Sequence, residues 1–329
     1  MSFMSAWVII TFHFVLTRYE ASLMIESVRR QHQEITGSIM LEMTTINNEY
    51  YQQFCEDGYV IVEDLIGRNE VEIWKNTFHQ LIQKIEPIHR PAQYGLGRQI
   101  VLDNLVEHAP EVMLPTVTNA SILSLLEILM GPFIQLESLR INLTEPAEKK
   151  QVKVETRNWH RDMWALSVGQ TKSYQPPHAC NVLTYFQNVD QDVGPLRVLP
   201  NSHRNFDLVQ KQFHAQTKEQ LIYPQIGDVV IIHSALIHAA SPNFSTDPRY
   251  FLSRFYNKSY LPHRDHHSGP NTQKILRMAQ INNDRRLMRL FGIDDLIFSR
   301  QVDATIPESE LWQRWIEEDR QALKKNRLT

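Results

Sequence analysis

Gly227-Asp228-Val229-Val230-Ile231-Ile232-His233-Ser234-Ala235-Leu236-Ile237-His238 is the stretch on which the fold turns. Gly227-Asp228 marks a turn. The β-branched run after it is short and apolar, which suits a strand buried in a sheet and falls short of a core helix. Either His233 or His238 can face inward from it. Tyr250 to Tyr256 reads as the next strand, headed by Arg249, and a hairpin between the two would bring the arginine back beside His238.

Other strands surround this pair. In Phe133 to Leu143, Leu139, Ile141 and Leu143 alternate with Ser138, Arg140 and Asn142, the period of a strand with one buried face. Asn181 to Phe186 and Leu196 to Leu199 read as neighbouring strands joined by Asp190-Gln191-Asp192-Val193-Gly194. Helical spacing appears in Asn69 to Ile85, with Asn69 as N-cap, and in Asn119 to Met130, opened by Asn119 and closed by Gly131-Pro132. Thr272 to Phe291 and Ser309 to Lys324 are amphipathic helices, while Pro262 to Pro270 reads as a surface loop. The fold class is therefore mainly β with flanking helices. Residues 1–45 are expected to be an extension outside the fold, 46–260 the main domain, and 261–329 a helical segment packed on it.

Composition narrows the function classes. The chain has 329 residues, 42% hydrophobic and 22% charged, enough for one large core. A net charge of −3 offers no basic excess for nucleic acid. Two cysteines, Cys55 and Cys180, make no disulfide framework and fit a reducing compartment, so the cytoplasm is the expected location. The apolar stretch Phe3 to Leu16 is shorter than the roughly 20 residues that span a bilayer and lacks a preceding basic residue, so membrane attachment is the lesser reading. The stretch reads first as a loosely attached N-terminal helix, with a translation start at Met40 or Met43 as the second reading.

The chemistry lies in His160-Arg161-Asp162. A His-x-Asp triplet alone is weak evidence in a chain with 14 histidines, and His263-Arg264-Asp265 repeats it. What distinguishes His160 is the distant strand bearing His238, followed by Arg249. Two imidazoles and one carboxylate form the three-ligand face that holds non-haem Fe(II) and leaves coordination positions open. Arg249 suits the far carboxylate of 2-oxoglutarate, because a guanidinium stays charged and grips a carboxylate through paired hydrogen bonds.

These motifs occur in a recognisable order. Phe54-Cys55-Glu56-Asp57-Gly58-Tyr59 within Tyr51 to Leu65, Leu129-Met130-Gly131-Pro132, the His160 triplet, Gly194-Pro195-Leu196-Arg197-Val198-Leu199-Pro200-Asn201-Ser202-His203-Arg204, and Gly227-Asp228 through Arg249 resemble the phytanoyl-CoA dioxygenase family. The resemblance covers about Asn48 to Asn257. It implies a double-stranded β-helix, the cupin form of the jelly roll, with Fe(II), 2-oxoglutarate and O2. It also implies hydroxylation of an aliphatic C–H bond in a small or medium-sized metabolite, with release of succinate and CO2. Asp162 fills the position that halogenases of the family leave for chloride.

The family pattern is not complete. Asn201 stands where a glycine is common, and Ala239-Ala240-Ser241 replaces Gly-Ser after the distal histidine, so a hydroxyl contact from Ser241 to the co-substrate is displaced or lost. Asn142 joins Arg249 and Ser241 as a cofactor-binding candidate if its strand face points inward. Arg140, Trp164 and Tyr185 are the substrate-side candidates, Arg140 for an anionic substrate and Tyr185 as a wall residue beside Leu183. For Trp159 and Trp164 core packing is the stronger reading, and His203 is read as a structural hydrogen-bonder. The competing reading is a catalytically idle cupin shell kept for binding or regulation.

Overall fold

The computed structural model describes residues 48–92, 96–147, 159–163, 165, 174–205, 218–293, 300 and 302–326. Met1–Glu49 and Tyr50–Thr329 are separate units, and the second carries everything below. Helical residues 50–57 (α1) lead through Gly58 into β1 (Tyr59–Val62), followed by α2 (Arg68–Leu81), β2 (Ile88–Arg90) and β3 (Gln99–Leu102). Then come α3 (Leu105–His108), α4 (Pro110–Val117), α5 (Ala120–Met130), β4 (Ile134–Thr144), β5 (Ala179–Tyr185) and β6 (Leu196–Val198). After a 3-10 turn at Ser202–Arg204 the chain forms β7 (Gln220–Ile222), β8 (Val229–His233), β9 (His238–Ala240) and β10 (Arg249–Lys258). It ends in α6 (Pro270–Ile281), α7 (Arg285–Leu290) and α8 (Glu308–Asn326). No single helix among the described residues is long and apolar enough to cross a membrane.

The strands form a seven-stranded sheet, in the order β1-β8-β5-β10-β4-β3-β2, and a three-stranded sheet, β7-β6-β9. All pairings are antiparallel. This is the expected jelly roll. Residues opposite one another in an antiparallel ladder share a face, so the register fixes what each face carries. On the outer face Val60, Val229, Ile231, Val182, Leu252, Leu139 and Ile141 pack with Trp74, Phe78, Met113 and Leu126 of the helices. On the inner face Tyr59, Ile232, Val230, Leu183 and Tyr185 meet Leu196, Val198 and Ile222 of the small sheet. Such dense apolar packing on both faces makes the large sheet a rigid platform.

Several expectations about pairing are corrected. β5 and β6 are not neighbours: both edges of β5 are taken by β8 and β10, and the chain crosses to the small sheet. Nor does the Val229–His238 stretch form a hairpin with β10: it divides into β8, which pairs with β1 and β5, and β9, which pairs with β6, while β10 pairs with β4 and β5. Asn119 caps α5, accepting from Ser121 N and Ile122 N at 3.1 Å. By contrast α2 starts at Arg68 behind an uncapped Gly67, which places Asn69 inside the first turn. The helix read over Thr272 to Phe291 breaks at Asn283, whose φ is +51°, and Asp284 caps α7 with a hydrogen bond from Leu287 N at 3.0 Å. The 262–270 segment is no free surface loop, because Asp265 and His267 are buried.

Candidate metal centre

The His160 triplet is laced by its backbone onto the segment joining β8 to β9. His160 and His238 form an isolated antiparallel bridge, with both N–H···O bonds at 3.0 Å, and Asp162 N donates to Ser234 O at 2.9 Å. Opposed residues share a face, so the two imidazoles come together with ring centres 4.4 Å apart. Asp162, two residues on, returns to the same side. Arg161 between them turns away and donates to Ala235 O (2.8 Å), Ser202 O (3.1 Å) and Asn205 O (2.7 Å), tying the triplet to the turn after β6.

The three ligand atoms lie within 4.8 Å of one another. Asp162 Oδ1 is 3.7 Å from His238 Nε2 and 3.9 Å from His160 Nε2. His238 Nδ1 lies 3.0 Å from Leu236 O; donating there, it leaves the Nε2 lone pair for a metal. His238 is buried, whereas the His160 side chain is 50% exposed, so the site opens on one side. The other oxygen of Asp162 accepts from Asn181 Nδ2 at 3.3 Å, and Asn181 Oδ1 accepts from Ser253 Oγ at 2.8 Å. Two imidazoles whose lone pairs converge with a hydrogen-bonded carboxylate fit ferrous iron.

The remaining histidines of the motifs are structural. His233 shares the outer face with Val229 and Ile231, stacks on Phe54, and accepts from Ala235 N at 3.0 Å. Burial holds its pKa down at about 3. His203 donates from Nε2 to Cys55 O across 3.2 Å, and its burial lowers the pKa to about 4. A Cβ on Gly58, where φ is +82°, would come within 2.5 Å of His203 Nδ1. The Phe54–Tyr59 and Pro200–Arg204 segments are thus packed against each other.

Arg249 is 3% exposed at the start of β10. Its Nη1 donates to Val193 O (3.1 Å), Gly194 O (2.6 Å) and Ser241 O (3.0 Å), while its buried Nε has no partner. Carbonyls position the guanidinium, and among the described residues its charge has no carboxylate partner, which fits a dianionic co-substrate. Burial lowers its pKa, and the nearby Tyr185 opposes that shift. Gly194 lies under the guanidinium: with φ at +92°, a Cβ there would sit 2.6 Å from Arg249 Nη1 and 2.3 Å from Pro242 O. Ser241 meets Arg249 through its carbonyl.

The register settles the orientation of Arg140 and Asn142. They stand opposite Ser253 and Phe251, on the inner face with Asn181 and Arg249. Tyr185 is on the same face, opposite Phe251, with its ring centre 5.5 Å away. Trp159 packs with Leu199, Ile237 and Ala239 under the Arg197 guanidinium. Trp164 lies outside the described residues. Asn181 and Ser253, which support Asp162, went unread because a polar residue on a strand carries no sign of its face.

An open three-ligand centre held between the two sheets of a jelly roll defines a non-haem iron oxygenase class. The family model for phytanoyl-CoA dioxygenase (PhyH) matches residues 54–251, and the chain belongs to that family. It is thereby an iron- and 2-oxoglutarate-dependent enzyme. Among solved structures, it resembles the non-haem α-ketoglutarate-dependent epimerase SnoN from nogalamycin biosynthesis, at 20% identity over 66% of this chain and 84% of that one, TM-score 0.52. HygX from Streptomyces hygroscopicus, solved with nickel and 2-oxoglutarate, matches at 15% identity over 65% and 88%, TM-score 0.51. The carbocyclase SnoK from nogalamycin biosynthesis matches at 17% over 64% and 83%, TM-score 0.51. No curated protein matches the chain in sequence.

Proposed function

We propose that this enzyme hydroxylates an aliphatic C–H bond of a small or medium-sized metabolite in the cytoplasm, using O2 and releasing succinate and CO2. The observation that carries the reading is the convergence of His160, Asp162 and His238 on one face, with the buried Arg249 charge lacking a carboxylate partner among the described residues. His160, Asp162 and His238 would hold the iron. Iron bound there with 2-oxoglutarate supplies the oxidation of the substrate C–H bond.

The chain's own residues arrange the site. Leu236 O fixes the His238 tautomer, and Asn181 holds the second oxygen of Asp162. Arg249 anchors the far carboxylate of the co-substrate, with Tyr185 and Asn142 flanking it on the inner face. The half-exposed side at His160 admits substrate. Asp162 occupies the position a halide would need, which supports oxygen transfer over halogenation. Epimerases and carbocyclases share the fold; hydroxylation is preferred as the outcome that asks least of substrate placement. The test is anaerobic addition of Fe(II) and 2-oxoglutarate, read by the visible absorption of the chelate, followed by succinate release in air. Asp162→Ala should abolish both, and turnover surviving in that variant would sink the reading.

A further inference from the structure

The second His-x-Asp motif, His263-Arg264-Asp265, is docked on β4 at a bulge. Glu137 is the extra residue there, falling between Leu136 and Ser138, which oppose Tyr256 and Phe255. Its carbonyl accepts from Arg264 N (2.8 Å) and Asp265 N (3.0 Å), and the buried Asp265 carboxylate accepts from Leu139 N at 2.8 Å. Bulges re-aim side chains in this way. Here Arg264 Nη2 reaches to 3.8 Å from the sulfur of Met163, the residue after Asp162.

Arg140 belongs to the same patch. It stands opposite Ser253, whose hydroxyl supports Asn181 and through it Asp162. Burial, and then the neighbouring Arg264 guanidinium, pull its pKa down, against the opposing pull of Asp103, Glu137 and Asp265. The nearby carboxylates are largely engaged elsewhere. Glu137 is taken by Arg264 at 3.1 Å and Ser138 Oγ at 2.5 Å, and burial raises Asp265 to about 7, near neutrality. Asp103 forms a long ion pair with Arg140 at 3.9 Å, beyond hydrogen-bond reach. Arg140 therefore makes no hydrogen bond among the described residues, and its Nε is buried without a partner.

Buried donors are rarely left unmade without a reason. We propose that Arg140 and Arg264 form the recognition site for an anionic group of the substrate, a carboxylate or a phosphate, and so orient its C–H bond toward the metal centre. This rests on the oxygenase reading above. It is a second anion site, separate from Arg249, which lies four residues before Ser253 on β10.

The test uses protein loaded anaerobically with Fe(II) and 2-oxoglutarate, titrated with inorganic phosphate or acetate while the chelate band is followed. At least one anion should give a saturable shift, the stronger of the two distinguishing a phosphate ester from a carboxylic acid. Arg140→Met and Arg264→Gln should each weaken it about 10-fold or more, with Arg140→Lys intermediate because it keeps the charge and loses the fork. Arg264→Gln alters a partly exposed side chain, so it serves if Arg140→Met does not fold. The half-saturation for 2-oxoglutarate should not move in any of them. No saturable response to either anion, a response that survives both substitutions, or a shifted 2-oxoglutarate half-saturation overturns the assignment. Failure of the band to form in the wild-type protein would instead overturn the oxygenase reading.

Discussion

Replacing Asn181 by leucine should loosen the metal without unfolding the protein. Asp162 offers Oδ1 to the two imidazoles at 3.7 and 3.9 Å, and its other oxygen is held by Asn181 Nδ2 at 3.3 Å. The Asp162 side chain is only 15% exposed, which restricts access of water as a substitute donor. A hydrogen bond to a charged acceptor contributes about 1.5–3 kcal/mol, and a length of 3.3 Å argues for the lower end. That corresponds to roughly a tenfold loss of Fe(II) affinity, the low end for residues that support metal ligands. Ser253→Ala, which frees Asn181 to rotate, should cost about two- to threefold. Because Ser253 acts through Asn181, the double variant should bind no more weakly than Asn181→Leu alone. Anaerobic calorimetric titration with Fe(II), checked with Mn(II), measures all three, and a melt of the metal-free protein controls for folding. Wild-type affinity in Asn181→Leu would refute the support role, and additive losses would refute the relay.

Arg249→Met should raise the 2-oxoglutarate KM by about two to three and a half orders of magnitude, since leaving a buried carboxylate unpaired costs about 3–5 kcal/mol; an unchanged KM in succinate assays removes Arg249 from the site. Gly194→Ala forces a side chain into a left-handed backbone against Pro242 O and Arg249. It should destabilise by at least ~1–2 kcal/mol in urea melts and raise the same KM, whereas a neutral result would mean the loop yields freely. His233 and His203, with folded values near 3 and 4 against 6.5, refuse protons that the unfolded chain accepts, so their contribution is complete above pH 6.5 and falls as the pH drops. Each can contribute up to ~1.4 kcal/mol per pH unit. Asp265, raised from 3.8 to about 7, works in the opposite sense: its contribution is complete below pH 3.8 and is lost as the pH rises toward 7. Asp265→Asn should therefore steepen the acid loss of stability between about pH 4 and 6.5, and an unchanged slope would show that Asp265 ionises normally.

The two sources of information divide along physical lines. Strands and helices were legible where side chains repeat with the period of the element: β8 from Val229 to Ile232, β4 from its alternation, α5 from its spacing and the Asn119 cap. The candidate ligand set was readable because His160 and Asp162 are two residues apart, which puts both on one side of an extended chain, and the structure gathers them with His238. His238 was favoured over His233 by its distance from Arg249. Strand parity in the structure then sends His233 to the outer face.

Partner choice was not legible. Alternation says that a strand has two faces but not which strand lies beside it, so β5 with β6, and the Val229–His238 stretch with β10, were paired by nearness in the chain. Only the sheet order shows that β6 and β9 lie in the second sheet and that β5 stands between β8 and β10. The same limit hid Asn181 and Ser253, each an ordinary polar residue until register sets them in line behind Asp162.

The 262–270 segment shows the limit most sharply, because its polar composition gives no hint of a bulge far earlier in the chain that receives the buried Asp265 and sets Arg264 against Met163. Local composition and period fix the elements and the kind of ligand, since both depend on neighbours in sequence. Which polar side chains gather round the iron, and which cations keep unspent donors, depends on hydrogen bonds between distant strands, and only the folded chain decides it.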